Sequence, residues 1–592
     1  MIQRKTKNKN PPFIKGRWRD YKKKDRKITS ISILLLLFLA VLMMIRQLAS
    51  TGYFSCHMED TLAYTSWAWQ FVEALKEGII YPRWAYLSYW GYGSPAFIVY
   101  SPLAYYLVAF FEMFTGSVIE AMNITKFVAL FLSGVGMFYL VRELYAEKIA
   151  LLTASFYIVF PYTIFQFYLV GTFYSTISIV WFPPLILFTY RYMRDRQYKD
   201  VIYAGLCYGG LILTHLINAY MFTFIFVAFI LYMSVVQKRL KDTMIIPLII
   251  IVGFLISSAY TLPVIFEKQF VHLKVFIGEG GDSGFINDFH NFFILPNMTR
   301  KFTSGHLWHA FYDTFVFYVS LFCVLIILSF LQILKLRKIE KMKDINSVNI
   351  FFLGAALFTI FLLFGISTFI WEIVPFFKYI QFSHRWLNIT TFTAVFLVSA
   401  TFCVIGNIYK TKKERTVLLI VLFLICIISF LLDYKYIRLA PAINEQELIP
   451  IKPPHWYKID LPASVDIDAI DKNDKSTERV VIMRGEGEVV LSKWKSAERV
   501  IEITAYEPLI VRIRTFNFPG WKAYIDKKQT EIRTEEDVGA MLIDIPKGRH
   551  DLVIRFEDTP VRYYAKLLSL ISLFSVFVLV LFSKKLGRSK PR

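Results

Sequence analysis

The sequence predicts a polytopic α-helical membrane protein of about twelve spans, with a C-terminal extracytoplasmic β-sandwich domain ahead of one last span. Three observations predict it. Apolar residues make up 56% of the chain and charged residues 19%, against about 45–50% and about 25% in soluble proteins; mean hydropathy is +0.47. Apolar runs of roughly 20 residues recur through the first three quarters, each long enough for a hydrocarbon core of ~30 Å. Lys and Arg gather in alternate connectors.

Residues 1–27 form a basic arm with twelve Lys/Arg between Arg4 and Lys27 against Asp20 and Asp25. With the basic connectors, this arm accounts for most of the net charge of +22. That is the positive-inside pattern, with the lipid bilayer as partner and no nucleic acid. The run from 28 to 48 lacks an Ala-x-Ala-like exit and reads as a retained first span. The connectors around Arg191–Arg196, Lys238–Lys241, Lys335–Lys338, Lys410–Arg415 and the tail from Lys584 are basic and should share the cytoplasm with the N-terminus. Those at 171–175, 267–288 and 372–385 should face outside. The fitting spans are 28–48, 123–142, 149–169, 175–192, 200–215, 218–236, 244–265, 312–334, 350–371, 386–408, 416–432 and 563–583. Parity holds if 97–115 does not cross, so 49–121 is one outer loop whose aromatic second half lies along the membrane. The domains are thus the arm (1–27), a transmembrane domain (28–432), a β-domain (433–560) and a last helix with a basic tail (561–592). In the β-domain, Arg499-Val-Ile-Glu-Ile-Thr and Leu509-Ile-Val-Arg-Ile-Arg alternate with period two, and Phe518-Pro519-Gly520-Trp521 and Pro546-Lys547-Gly548 supply turns. The five cysteines show no CxxC pair and suggest neither a disulfide framework nor a zinc site.

Candidate chemistry gathers at the outer edge. Glu59 and Asp60 follow the first span. A carboxylate there can act as general base, or with its neighbour and His57 hold a divalent cation such as Mg or Mn; no cofactor is certain. Asp60 before Thr61 also suits a helix cap. His215 ends a span, where an ionisable group is costly. Arg385, after His384, and Arg83, in Tyr81-Pro82-Arg83-Trp84, could grip a phosphate with the guanidinium fork or snorkel to head groups. The loop 267–311, with its Gly278–Gly284 run and His272, His290, His306 and His309, reads as a flexible cover.

The run Asp60…Tyr81-Pro82-Arg83-Trp84…Gly91-Tyr92-Gly93-Ser94-Pro95…Tyr100-Ser101-Pro102-Leu103 resembles the bacterial 6-pyruvoyl-tetrahydropterin synthase-related membrane proteins, within the GT-C class of glycosyltransferases. Gln381-Phe382-Ser383-His384-Arg385-Trp386 looks like their Gln-Phe-Pro-Trp-Arg signature, and the 518–550 segment looks like their outer β-domain. The resemblance implies a GT-C fold in the cytoplasmic (inner) membrane, with both termini cytoplasmic and the active site on the outer face. It also implies a transferase moving sugar from a polyprenyl-phosphate donor to a glycan, lipid or protein acceptor. Asp60, with Glu59, would be the catalytic acid. Arg385, with Arg83, His384, His215 and Tyr100, would bind the lipid phosphate, and the carrier would enter along 85–115. This chain departs from the family where Thr61-Leu62-Ala63-Tyr64 replaces a His after the Asp, and where Ser383-His384 replaces Pro-Trp. Nothing in these residues would bind a pterin. The alternatives are a transporter or flippase, and a non-catalytic glycan-binding envelope protein.

Overall fold

The computed structural model describes residues 17–54, 58–170, 172–272, 306–336, 343–380, 383–407, 461–466 and 478–586, with scattered positions between 416 and 443. It opens with α1 (Arg17–Leu48), a two-residue strand β1 (Tyr53–Phe54) and α2 (Met58–Lys76), whose side chains are described from Thr61 on. Two short helices follow, α3 (Ala96–Val99) and α4 (Leu103–Thr115). Thirteen residues in α4 rise only about 20 Å, too little for a core of ~30 Å. Its apolar face is split, with Ala104, Tyr105 and Val108 buried and Phe110, Met113 and Phe114 exposed, as suits a helix at a membrane boundary.

The bundle continues through α5 (Val118–Arg142), α6 (Glu147–Ile158), α7 (Pro161–Phe165), α8 (Phe173–Ser178), α9 (Phe182–Asp195), α10 (Tyr198–Thr214) and α11 (Leu216–Val236). Then come α12 (Ile245–Ile256), α13 (Ser258–Glu267), α14 (His306–Leu336), α15 (Lys343–Phe361), α16 (Thr368–Ile373) and α17 (Leu387–Asn407); α18 (Pro560–Leu586) closes the chain. Among the described residues, eight helices are long and apolar enough to cross a membrane, nine if one bent pair counts as a span.

Three of the expected spans differ. The run 244–265 is not straight: Leu240–Ile256 and Ser258–Phe270 meet at 85°. Ser257 and Ser258 sit at the break and turn their hydroxyls back onto the carbonyls of Gly253 (2.9 Å) and Leu255 (2.8 Å), so the interrupted helix end keeps its hydrogen bonds. The expected span 350–371 starts earlier and stops at Phe361, before the turn at Gly365–Ser367. The expected 200–215 is a helix of 17 residues, about 25 Å long, and packs closely on α12 through Gly205, Gly209 and Gly253. The expected span 416–432 lies mostly outside the described residues.

Arg142 and Glu143, Arg191–Arg196 and Asp242 meet at one end of the bundle. Glu143 receives Arg194 at 2.7 Å, and Arg142 donates to Thr29 at 2.9 Å. The β-domain occupies the opposite end. Arg196 pairs with Asp242, so the basic turns at 191–196 and 238–241 share an end.

The β-domain consists of β3 (Val480–Arg484), β4 (Gly487–Trp494), β5 (Glu498–Ala505), β6 (Leu509–Phe516), β7 (Trp521–Ile525), β8 (Lys528–Thr530), β9 (Arg533–Thr534), β10 (Ala540–Ile545) and β11 (Gly548–Phe556). They pair antiparallel in two sheets, ordered β3-β6-β10-β9 and β4-β5-β11-β7-β8. Burial alternates along β5 as its sequence alternates. Ile501 and Ile503 of one sheet and Val511 and Ile513 of the other enter one core. Ahead of them, β2 (Ala442–Ile443) pairs with β1 and ties the domain's lead-in to the first loop.

That core holds a correction. Trp84, Tyr89, Tyr92 and Ile98 do not form a membrane-lying wall or a carrier groove; they are buried in the β-domain core. Tyr92 stacks on Phe516 at 4.8 Å, and Trp84 lies edge-on to Trp521 at 5.6 Å. The Tyr92 carbonyl accepts from the Phe516 N–H and the Trp90 carbonyl from Arg514. Rings that favour a membrane interface also favour a dry protein seam, and hydropathy does not separate the two. The turn needs its glycines. Gly93 has φ +78°, and a Cβ there would run into the Trp84 indole.

Candidate functional site

The site is organised by a buried, broken connection between α6 and α9. Pro161 cannot continue α6 and starts α7 instead. A single π-helical turn, Gln166–Val170, follows, and α8 then leads into a 3-10 turn at Ile179–Trp181. Irregular backbone inside a bundle must find partners there, and π turns often mark functional sites. The Phe167 carbonyl accepts from Lys126 Nζ (2.8 Å) and Gln47 Nε2 (2.9 Å). The Gln166 carbonyl accepts from Thr176 Oγ1. The sequence reading treats 171–175 as a plain outer connector, because its apolar residues hide how irregular the backbone is.

Ser175, on this connection, receives hydrogen bonds from Asn218 Nδ2 (3.1 Å) and Asn388 Nδ2 (2.9 Å); Asn218 Nδ2 also donates to Ser178 Oγ at 2.7 Å. These bonds join α8, α11 and α17 and carry two predicted residues with them. His215 has extended backbone in the turn between α10 and α11 and caps α11, its Nδ1 accepting the Asn218 N–H at 3.1 Å. Accepting there leaves the imidazole proton on Nε2. Arg385 comes three residues before Asn388, so the bonds at Ser175 draw its turn toward His215, 170 positions away in the chain. It sits in the 3-10 turn Ser383–Trp386, above buried Trp386, with Nη1 donating to the Ile380 carbonyl at 2.9 Å. The His384 carbonyl accepts from Tyr162 Oη at 3.5 Å.

The first loop meets the same connection through aromatic rings. Tyr100 stacks on Tyr174 at 5.9 Å and lies 4.6 Å from Trp67. Tyr64 is edge-on to Tyr174 at 5.1 Å. Tyr64 comes one helical turn after Asp60, so the first turn of α2 is about 6 Å along the axis from that contact. Tyr100, His215, His384 and Arg385 therefore belong to one region. Glu59 and Asp60 lie in the first turn of α2, inside the helix rather than at its cap. His57 and the Gly278–Gly284 run lie outside the described residues. His306 and His309 begin α14, whose side chains are described from Tyr318. Among the described residues, no three His, Cys, Asp or Glu side chains group as metal ligands would. Several buried polar atoms here lack a hydrogen-bond partner: Tyr174 Oη, Asn218 Oδ1, Ser383 Oγ and Trp386 Nε1.

Arg83 does different work. It is buried, packs over the Tyr81 ring at 3.5 Å, and donates from Nη2 to the Ala259 carbonyl at 2.7 Å. In a regular helix that carbonyl would receive the N–H of residue 263, which is Pro263 and has none. Arg83 thus supplies the bond the proline removes and fastens the first loop to α13. Arg83→Met should cost about 1–3 kcal/mol, the penalty for orphaning a buried carbonyl. The measurement is thermal unfolding of the full chain in detergent, and an unchanged midpoint would refute this role.

Lys126 escaped the sequence reading. It is 1% exposed, within the span Val118–Arg142. Its ammonium lies 4.0 Å over the Tyr53 ring, just ahead of the acidic pair. The available signal was a lysine inside an otherwise apolar run, an expensive placement.

A family model described as "6-pyruvoyl-tetrahydropterin synthase related domain; membrane protein" matches residues 97–437. That range includes Tyr100, Lys126, His215, His384 and Arg385, but not Asp60 or Arg83. No curated protein sequence matches the chain. Among solved structures, the chain is similar to the Archaeoglobus fulgidus oligosaccharyltransferase in its apo form, at 13% identity and TM-score 0.42, over 71% of this chain and 57% of that one. It is also similar to the archaeal oligosaccharyltransferase AglB from the same organism, in complex with an inhibitory peptide and a dolichol-phosphate, at 13% identity and TM-score 0.40, over 72% and 57%. The match thus spans little more than half of either neighbour.

Proposed function

This chain belongs to the 6-pyruvoyl-tetrahydropterin synthase-related membrane protein family, and from its site we propose a membrane glycosyltransferase that moves a sugar from a polyprenyl-phosphate donor to an acceptor hydroxyl at the outer face. The observation that carries the reading is the junction at Ser175, which draws the Arg385 turn and His215 together through Asn388 and Asn218, with orphaned polar atoms among these elements, beside the first-loop aromatics. A buried polar group without a partner calls for a ligand or ordered water. A guanidinium at such a junction suits an anionic head group. The Asp60 carboxylate takes the acceptor's hydroxyl proton, and that oxygen attacks the anomeric carbon. The bond from carbon to phosphate oxygen breaks, the phosphate leaves with the electron pair, and Arg385 balances its charge. Glu59 and Asp60 are the residues that would hold a divalent cation such as Mg or Mn, which would supply charge neutralisation for the phosphate. The acceptor is a glycan, lipid or protein that reaches Asp60 from the outer face. The compartment is the cytoplasmic membrane, with the basic end of the bundle inside.

The test is release of polyprenyl phosphate from a polyprenyl-phosphate hexose by the purified full chain. Arg385→Gln should lower kcat/KM about 100-fold, as expected when a group that stabilises developing charge is lost. A wild-type chain that releases none, across hexose donors, sinks the reading. A second reading, a transporter or flippase of the same lipid-linked solute, draws on the broken segment 161–181 and buried Lys126, features of transport pathways. It requires translocation of the intact donor without release of the phosphate.

A further inference from the structure

Between α15 and the Arg385 turn the chain makes three short helical turns, Gly365–Ser367, α16 and Phe377–Ile380. One side of this segment is bare and apolar. Ile366, Phe369, Ile373 and Phe376 are 73%, 53%, 74% and 62% exposed. The spacing of 366, 369 and 373 places them along one helical face. The other side is packed: Trp371 meets Phe377 at 5.3 Å, and Phe377 meets Trp386 at 5.9 Å.

This stripe is not the outside of a span. Six residues in α16 rise about 9 Å, a fraction of the ~30 Å core. Four bare apolar side chains between 366 and 376, two of them on α16, mark a surface made for contact. Phe376 is held at φ +66°, a conformation an aromatic residue adopts only under constraint. The constraint is visible, because the Pro375 carbonyl accepts from Tyr220 Oη and the Phe376 carbonyl from the Tyr379 N–H. Four residues past Phe376, the buried Ile380 accepts at its carbonyl from Arg385 Nη1, so the chain leads from the stripe to a cation.

An apolar track that ends at a guanidinium complements an amphiphile with a hydrocarbon tail and an anionic head. We propose that the 366–376 stripe is the docking surface for the isoprenoid chain of the lipid-phosphate donor, with its phosphate at Arg385. The inference rests on the reading of Arg385 as a phosphate ligand. It moves carrier entry to this side of the bundle, away from 85–98, which the β-domain fills.

The test is photolabelling of the full chain in phosphatidylethanolamine and phosphatidylglycerol vesicles with a diazirine-bearing polyprenyl monophosphate, mapped by mass spectrometry. Labels should fall within 366–376. Unlabelled polyprenyl monophosphate should compete, and a tenfold excess of phosphatidylglycerol should not. The triple variant Ile366→Ser, Phe369→Ser, Ile373→Ser should lose about tenfold of the label, a free-energy change that apolar contacts of this number can supply. Phe369→Ser alone should lose about threefold on the same scale, and this variant decides the matter if the triple does not fold. Equal competition by phosphatidylglycerol, or wild-type labelling of Phe369→Ser, would overturn the proposal and assign the stripe to bulk lipid. Labelling needs no turnover, so a chain that binds the probe here but releases no sugar would fail as a transferase while the docking surface stands.

Discussion

Asp60→Asn should lower turnover of a polyprenyl-phosphate sugar by about a thousandfold, within the range attributed to a positioned general base, while leaving the protein folded. The geometry separates the two effects. Residue 60 lies in the first turn of α2, where an acidic side chain gains only about 0.3–1 kcal/mol from the helix dipole. Asparagine keeps the shape and loses the ability to take a proton. The turn itself is held from further along, where Tyr64 packs on Tyr174 and Thr65 Oγ1 donates to the Thr61 carbonyl at 2.8 Å. The check is steady-state kinetics on the purified variant beside a thermal unfolding scan. Turnover within twofold of wild type would remove Asp60 as the base. Glu59→Gln is the companion measurement: if that variant is the inactive one, the proton passes to Glu59 instead.

The structure also separates what the sequence could express from what it could not. Hydropathy exposed the spans and period-two alternation exposed the strands, because each reflects burial of residues close together in the chain. The β5 stretch Glu498–Ala505 alternates in burial as it does in letters. The short α4 follows from the same local logic. Long-range partners were not expressed. Trp84 and Tyr92 look like membrane-interface aromatics until the β-domain, more than 400 positions on, supplies Trp521 and Phe516. Arg83 looks like a phosphate ligand until Pro263 leaves the Ala259 carbonyl without its helical donor. The broken connection 161–181 is as apolar as a span, and its irregular path shows only in the side chains sent to meet it: Lys126, Gln47, Asn218 and Asn388. Arg385 and His215 each stand out on charge at a membrane edge, but nothing local could bring them to one junction through Asn388, Ser175 and Asn218.

Glu267→Ala should be the most damaging single change to stability, at about 3–5 kcal/mol, the cost of leaving one member of a buried ion pair alone. Glu267 is 4% exposed and Arg562 is fully buried. Arg562 donates from Nε (2.9 Å) and Nη2 (2.8 Å) to Glu267 Oε2, and from Nη2 to the Pro519 carbonyl at 2.7 Å. Thr559 gives its hydroxyl to Glu267 Oε1 at 2.7 Å and receives the Arg562 N–H, capping α18 just ahead of Pro560. One carboxylate thus fastens three parts: α13 beyond the bend, the 518–521 turn of the β-domain, and the start of the last helix. Removing it leaves a guanidinium against Phe518 and Phe556 without the carboxylate that receives its hydrogen bonds. The double change Glu267→Leu, Arg562→Met should recover most of the loss, because an apolar pair of similar volume avoids the desolvation cost that the ion pair only offsets. Unfolding midpoints of the full chain in one detergent measure both. A midpoint for Glu267→Ala close to wild type would mean that water reaches Arg562, and a double variant no better than the single would mean that the pair holds the seam by direction rather than by charge. If Glu267→Ala also loosens the β-domain from Trp84, the proposed transfer activity should fall further than that of a variant equally destabilised inside the β-domain core, since the same seam frames the first loop.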